Sequence, residues 1–392
     1  MSKIIKPDYM SDFACIGGDC EDTCCAGWRI TVDKNTYQKY RKIKDRVMRK
    51  ALADVVKRDY KSTSDDSYAK IVLGDTGLCS LTDDKGLCTV HKELGESYLC
   101  NTCATYPRIF SNVGGTIEKT LSLSCPEAAR VVLNRPEGIG FVEGEEVITA
   151  EMNGELSLKE YPYFWDLRIF IVQLLQDRQQ SIEMRLIVLG LFLQKVETIA
   201  VKDYPAYLPN IMQEYSERLG NEAYIEELFK IEPRRDFQLG LVHSLMIHHL
   251  ENFTGEKYLH LVKQVVKGLN LDEKDTMKYE EAYNKHYELF MREHSYILEN
   301  YLVNMVFKNL IPYDKATFSE SYMMIVIHVM LVKVHMIGLA SYKKEMTVDD
   351  VLFCIQQIGR AVEHNSMYVD SLREEMLDAK YTTMGHMFSL LK

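Results

Sequence analysis

The chain has 392 residues, of which 46% are hydrophobic and 27% are charged, and its net charge is −10. This composition is typical of a soluble globular protein long enough for two domains, and it excludes collagen-like, low-complexity and disordered chains. Residues 1–10 lack the apolar core of a signal peptide, and the longest uncharged apolar run, residues 186–193, is shorter than the roughly 20 residues of a membrane span. We therefore expect a cytoplasmic protein with no membrane insertion.

The charge is divided unevenly along the chain. Residues 1–135 carry 21 Lys and Arg against 18 Asp and Glu, whereas residues 136–392 carry 26 against 39. The acidic second part argues against a nucleic-acid partner and suits a basic protein substrate, such as one that presents lysine side chains. An ordinary solvated surface nevertheless explains most of these charges.

The first third of the chain reads as a small module of mixed structure. Residues 1–30 are typical of a loop, and apolar residues at spacings of three to five predict a helix over residues 33–60. Alternating apolar residues predict extended segments over 68–81 and 116–124. Pro126 and Glu127 suit the first turn of a helix that ends near Leu133.

The remainder is predicted to be helical almost throughout. Residues 138–158 read as an acidic linker, and helices are expected over 181–201, 234–253, 257–269, 276–310, 320–341 and 347–364. The predicted fold is therefore mainly α. It has an irregular cysteine-rich α+β module over residues 1–137, the acidic linker, and an all-helical domain over 159–392.

Nine of the ten cysteines lie between Cys15 and Cys125, in clusters with the spacing of metal ligands. They are Cys15, Cys20, Cys24, Cys25, Cys79, Cys88, Cys100, Cys103 and Cys125. In a reducing cytosol such clusters favour metal or redox centres over disulfides. Structural zinc, an iron–sulfur cluster and a reactive thiol all remain open on spacing alone, although a reactive thiol leaves most of these cysteines unexplained.

Three further residues bear on this centre. Cys24 and Cys25 are adjacent, and neighbouring residues rarely ligate one tetrahedral ion. Their side chains can therefore belong to different sites, or one can pack while the other ligates. His91, three residues after Cys88, is a candidate ligand or surface residue. Cys354, within an apolar helical segment, is predicted to be a buried core thiol.

Four strings carry a resemblance to a known family: FACIGGDCEDTCCAGW at 13–28, GLCTVH at 86–91, CNTCATYPR at 100–108 and LSLSCPEAAR at 121–130. In order and spacing they resemble the flagellin lysine-N-methylases, within a broader group of zinc- or iron-chelating domains. The resemblance implies methyl transfer from S-adenosylmethionine to lysine side chains of flagellin in the bacterial cytoplasm. It also implies that thiols of this set bind an iron–sulfur cluster of the 4Fe–4S type, with zinc as the alternative, and it does not say which thiols bind what; by number they could hold one cluster, two clusters, or one cluster and one zinc.

Residues beside these cysteines are candidates for the chemistry. Arg108 is a candidate clamp for a carboxylate, such as that of the methyl donor, and Tyr106 for a hydrogen bond or a contact with a cation. Asp22 and Glu127 are candidate acceptors for the lysine, although helix stabilisation explains Glu127 better and a structural turn would equally explain residues 106–108. The chain has no radical-SAM signature, phosphate-binding loop or HExxH motif, so no motif assigns residues to donor binding. The alternative function is a non-catalytic metal-binding protein whose helical domain docks a partner.

Overall fold

The computed structural model describes residues 1–26, 30–74, 77–148, 150–252, 255–273, 276–363 and 366–392. Gly27 and Trp28, from the first of the four strings, lie outside the described residues.

Two sheets form in the first 156 residues. The strands are β1 Ser2–Pro7, β2 Thr31–Val32, β3 Val56–Arg58, β4 Ala69–Ile71, β5 Arg108–Val113, β6 Thr116–Leu121, β7 Phe141–Glu146 and β8 Gly154–Leu156. The larger sheet has the order β7-β1-β6-β5-β8, in which β1 is parallel to β6 and β5 is parallel to β8. The smaller sheet has the antiparallel order β2-β4-β3.

Short helices alternate with these strands, and longer helices form the rest of the chain. The first set is α1 Lys34–Arg41, α2 Arg46–Val55, α3 Thr89–Leu94, α4 Asn101–Thr105 and α5 Pro126–Leu133. The second set is α6 Phe164–Gln176, α7 Ile182–Glu197, α8 Tyr204–Leu219, α9 Glu222–Phe229, α10 Arg235–Asn252, α11 Glu256–Leu269, α12 Thr276–Ala282, α13 Glu288–His294, α14 Tyr296–Lys308, α15 Phe318–Lys343, α16 Val348–Ile358, α17 Ser366–Asp378 and α18 Met384–Leu391. One π-helical turn, Tyr283–Tyr287, joins α12 to α13, and a second, Gly359–Glu363, follows α16.

The mainly α fold with a cysteine-rich α+β module is confirmed. The predicted helix starts also hold where a cap is present. The side chain of Ser181 accepts a hydrogen bond from the N–H of Met184 at the start of α7, and Thr347 does the same for Asp350 at α16. Helix α5 begins at Pro126 and ends at Leu133, as predicted.

Three local predictions were wrong. Residues 2–7, expected in a loop, form β1, whose Ile4 is fully buried in the sheet. The helix expected over 33–60 divides because Asp45 caps a second helix, and β-branched Val55 and Val56 lead into β3. The segment expected to be an acidic linker, 138–158, contributes strands β7 and β8, while the division into domains stays a prediction.

The hydrophobic cores show how these parts join. The largest core is continuous between the larger sheet and the long helices, since Tyr9 and Leu121 belong to it together with Leu186 and Val326. A smaller core lies within residues 30–103 and includes Cys79 and Cys100. The cysteine-rich residues therefore pack around a core of their own beside the main one.

Helix α15 is long and apolar enough to cross a membrane by length and composition. It is also 94% buried within its most apolar window, as expected of the central helix of a folded core. Nothing in this burial calls for a lipid environment.

Candidate metal centre and adjoining cavity

The nine N-terminal thiols fall into two groups that meet at Cys24 and Cys25. We assign two thiols to the same group when the charge of one raises the pKa of the other. Cys24 and Cys25, where the groups meet, also act on each other in this way. The first thiol group is Cys15, Cys20, Cys24 and Cys125, and the second thiol group is Cys25, Cys79, Cys88, Cys100 and Cys103. Beyond their contact with each other, the adjacent cysteines each act mainly on a different group.

Backbone contacts hold the second thiol group together. The N–H of Cys79 donates to the carbonyl of Cys25 at 2.7 Å, and the N–H of Thr82 donates to the carbonyl of Cys79 at 3.0 Å. Thr82 in turn forms an antiparallel bridge with Cys88. Cys100 and Cys103 share a hydrogen bond between their thiols, which lowers the pKa of Cys100. All five belong to, or pack against, the smaller core.

Three of the thiols stand at helix N-termini. Cys88, Cys100 and Cys125 occupy the N-cap positions of α3, α4 and α5. Burial raises the pKa of Cys125 to about 11, but the N–H groups of Ala128 and Glu127 act in the opposite direction. Helix N-termini favour thiolates, which are the form that binds metals.

The reduced thiols of Cys24 and Cys25 share a hydrogen bond. This bond lowers the pKa of Cys25 to about 6, with help from the hydroxyl groups of Thr23 and Thr82. The same bond and burial raise the pKa of Cys24 well above its usual value.

The chemistry of the nine thiols suits a metal centre, but their present positions do not. Thiolates alone suit zinc or an iron–sulfur cluster. Among the described residues, however, no three His, Cys, Asp or Glu side chains lie close enough together to hold one metal ion. A metal centre would thus require the thiols to approach each other, and we derive no chemical step from it.

The helical half fixes the loop that carries the first four cysteines. The side chains of Gln356 and Gln357 on α16 donate to Oδ2 of Asp22 at 3.0 and 2.8 Å. Arg360, on the following π-helical turn, lies 3.1 Å from Oδ1 of the same carboxylate, and Lys257 lies 3.6 Å from it. Asp22, a predicted acceptor for lysine, is therefore fully engaged in holding this loop.

A cavity of about 850 Å³ adjoins the cysteine-rich module. It lies between helix α4, the strands β5 and β8, and helices α14 and α15. Helix α4 carries Cys103, while Asn101, Thr102 and Thr105 from the same helix line the cavity. The second thiol group and the cavity thus share one helix.

The cavity combines carboxylates, tyrosines and cations. Its acidic lining residues are Glu151, Glu155, Glu160 and Asp314, its tyrosines are Tyr106, Tyr161, Tyr301 and Tyr313, and its cations are Arg108, Lys308 and Lys315. The rings of Tyr161 and Tyr313 lie 4.5 Å apart and form an aromatic wall. Burial raises the pKa of Glu151, whose carboxylate accepts a hydrogen bond from the amide of Asn101.

Two of the predicted catalytic residues reach this cavity. Arg108 lies on β5 with its guanidinium 5.0 Å from the ring of Phe13, and among the described residues no carboxylate pairs with it. Tyr106 is buried, which raises its pKa, and its hydroxyl lies 3.0 Å from Oγ of Ser124. Cys125 and Cys24 also raise the pKa of Tyr106, so this ring stands between the cavity and the first thiol group.

The other predicted residues lie elsewhere. Glu127, in the first turn of α5, pairs with Arg130, which supports its helix-stabilising role. His91 is exposed on α3. Cys354 is fully buried in the main core, which confirms its prediction as a core thiol.

Comparison with known proteins identifies the family. The FliB lysine N-methylase C-terminal domain matches residues 168–390. The chain belongs to the FliB lysine N-methylase family. It is 30% identical over 243 residues to the lysine-N-methylases of Salmonella choleraesuis and Salmonella typhimurium, a match that covers 61% of this chain and 59% of each relative.

A third relative is the flagellar biosynthetic protein FliU of Salmonella muenchen, 35% identical over 141 residues, or 36% of this chain and 82% of that protein. The chain thus spans less than two thirds of the length of the two lysine-N-methylases in this family. No solved structure matches it.

Sequence reasoning missed most of the cavity. Glu151 and Glu155 lie in the segment that was interpreted as a linker, and Tyr313 and Asp314 lie between two helices. The abundance of acidic and tyrosine residues after position 136 was the only available signal. It shows what kind of lining to expect, but it cannot show which residues meet.

Proposed function

We propose that the protein is a protein-lysine N-methyltransferase that uses S-adenosylmethionine to methylate flagellin in the bacterial cytoplasm. Its family and the names of its relatives support methyl transfer to lysine. The name of the FliU relative supports a flagellar substrate. The observation that carries the proposal is the cavity in which carboxylates and tyrosines surround a guanidinium with no carboxylate partner among the described residues.

The chemistry of this cavity suits both reactants. A lysine ammonium and a sulfonium are cations, and aromatic rings and carboxylates attract cations. The aromatic wall of Tyr161 and Tyr313 and the nearby Glu160 supply both features. The volume of about 850 Å³ lies within the range of small-molecule sites and leaves room for a donor beside a side chain.

Methylation requires the lysine amine to lose its proton before it attacks. Glu151 is the proposed proton acceptor, because it lines the cavity and partial desolvation raises its pKa, which makes this exposed carboxylate a somewhat stronger base. The neutral nitrogen then attacks the methyl carbon as the bond from carbon to sulfur breaks, which leaves S-adenosylhomocysteine. The cavity contributes mainly by placing amine, methyl group and sulfur in line.

Arg108 is the proposed partner for the carboxylate of the donor. Its planar guanidinium can form two parallel hydrogen bonds with a carboxylate. Since it carries no carboxylate in this structure, binding the donor would break no ion pair among the described residues. Tyr106, which lines the same cavity, is proposed to hold Pro107 and Arg108 in place through its contacts beside the first thiol group.

We also propose that the N-terminal thiols hold an iron–sulfur cluster of the 4Fe–4S type, which takes four thiolates, with zinc as the alternative; the nine thiols are enough for a second centre. The all-thiol donor set and the three helix N-termini support this. A polar methyl transfer needs no electrons, so a centre here would stabilise the module that carries α4 and Arg108. We propose no nucleic-acid partner and no membrane insertion.

The test is methyl transfer to purified flagellin. The full chain, purified without oxygen, is incubated with flagellin and labelled S-adenosylmethionine, and label on lysine is located by mass spectrometry. We expect Arg108→Ala to raise the KM for the donor by roughly 10- to 100-fold, since a hydrogen bond to a charged group contributes about 1.5–3 kcal/mol.

Arg130→Ala is the matched control, because Arg130 pairs with Glu21 and Glu127 outside the cavity. Equal effects of the two substitutions would remove Arg108 from donor binding. Absence of any methyl transfer by intact, metal-loaded protein would favour the non-catalytic alternative, in which the helical half docks a partner.

A further inference from the structure

A second pocket in the cysteine-rich module carries a concentrated positive charge. It has a volume of about 310 Å³ and lies between α1, α2 and β3, and it shares no lining residue with the cavity described above. Its cationic lining residues are Arg41, Arg49, Lys57 and Arg58. Tyr37 and Tyr40 line it as well, together with Tyr60, which is largely exposed. Among the described residues, no acidic side chain lines it.

The surroundings of this pocket are basic as well. Residues 34–61 contain 11 Lys and Arg but only 3 Asp and Glu, in a chain whose net charge is −10. A local charge of +8 in 28 residues within an acidic protein is a strong concentration, and it attracts anions. Ordinary surface charges mix the two signs, so this segment needs another explanation.

The four cations have no internal counter-charge. Within the described part of the chain, none of Arg41, Arg49, Lys57 and Arg58 forms an ion pair with a carboxylate. Their hydrogen bonds go to backbone carbonyls instead: Arg49 donates to Ile43, Lys57 to Ala53, and Arg58 to its neighbour and to Tyr68. Like charges gathered in one concave site repel each other until an anion neutralises them.

The guanidinium of Arg58 is fixed in place. It lies 3.6 Å from the ring of Tyr68 and 5.7 Å from that of Tyr60, in addition to its two carbonyl contacts. Because its position is set before any ligand arrives, little entropy is lost when a ligand binds. Arg41 and Arg49 are exposed and reach the same pocket from the two helices.

We propose that this pocket binds a phosphate group on a small soluble molecule, with Arg41, Arg49 and Arg58 as its ligands. Three guanidiniums and an ammonium require a multivalent anion, and one carboxylate would leave most of their charge unbalanced. Phosphate carries about two charges and has several oxygens that match the guanidinium fork. The rings of Tyr37 and Tyr40 provide a surface on which a flat ring attached to the phosphate can stack.

The test measures binding to the full, metal-loaded chain by titration calorimetry. Pyrophosphate and AMP are the two probes, one without and one with a ring. We expect at least one of them to bind, and Arg41→Gln and Arg49→Gln each to weaken that binding by about tenfold or more. Tighter binding of AMP would identify a ring-bearing ligand within the same proposal.

Lys42→Gln and Lys44→Gln are the matched controls. Both lysines are exposed on the same basic segment and neither lines the pocket, so each control removes one charge of the same sign. Binding that the controls weaken as much as the pocket variants would indicate a diffuse field and overturn the proposal. Binding of neither probe, or of an oligoglutamate peptide alone, would overturn it too.

Discussion

A buried ion pair joins the larger sheet to the helices, and its removal gives a sharp test of the fold. Glu118 on β6 and Arg168 on α6 meet at 2.6 Å, with only 2% and 3% of their side chains exposed. The guanidinium also donates to the carbonyl of Phe307 and lies 4.4 Å from the ring of that residue on α14. The guanidinium of Arg168 thus connects β6, α6 and α14.

The expected cost follows from burial. Arg168→Met keeps the volume of the side chain but leaves the Glu118 carboxylate buried without its partner, which costs about 3–5 kcal/mol. The double variant Glu118→Gln/Arg168→Met removes both charges, and it should lie within about 1–2 kcal/mol of the natural protein. The measurement is the free energy of unfolding in urea, followed by circular dichroism, for all four members of the cycle.

The pH dependence of the free energy of unfolding provides an independent test. Burial raises the pKa of Glu118, and Arg168 acts against that rise. Without Arg168 the folded-state pKa rises further above the unfolded value, so the folded state is favoured at low pH and loses stability as pH rises through the folded pKa. The deficit of Arg168→Met should therefore be smaller at acidic than at neutral pH. A deficit below about 1 kcal/mol, or a double variant as unstable as the sum of the singles, would refute the reasoning.

Three further predictions concern other contacts. Asp22→Ala should lower the free energy of unfolding by about 2–3 kcal/mol and expose the first cysteine loop to proteases, because Gln356, Gln357 and Arg360 lose their partner, whereas exposed Asp19→Ala should not. Gly268→Ala should lower the free energy of unfolding by more than about 1 kcal/mol, because the added Cβ would lie 2.1 Å from the carbonyl oxygen of Gly338 where α11 crosses α15. The control, Gly240→Ala, has open space around the added Cβ and should be neutral or stabilising. Burial lowers the pKa of Lys333 to about 8, so this residue should make the protein more stable as pH rises from about 8 to 10. Lys333→Met should remove this contribution, so the free energy of unfolding should rise less over that range than in the natural protein.

Local sequence signals predicted those features that depend on neighbours in the chain. Pro126 and Glu127 identified the start of α5, and the apolar segment around Cys354 predicted a buried core thiol. Strand β7 was missed because its residues are mostly exposed and rich in Gly and Glu, so its existence depends on pairing with β1. The cavity was missed for the same reason, since its walls come from segments between residues 101 and 328 that only the tertiary fold brings together.

The two thiol groups make a last prediction about metal content. Cys24 belongs with Cys15, Cys20 and Cys125, whereas Cys25 belongs with the second thiol group. If each group holds its own metal, Cys24→Ser and Cys25→Ser should each remove part of the iron or zinc, and the two losses should add in the double variant.

Anaerobic purification, followed by iron, sulfide and zinc analysis per chain, measures this directly, with Cys354→Ala as the control from the main core. Complete loss of metal in both single variants would mean that one centre draws on both groups. In that case the hydrogen bond between the two adjacent thiols lies within a single site.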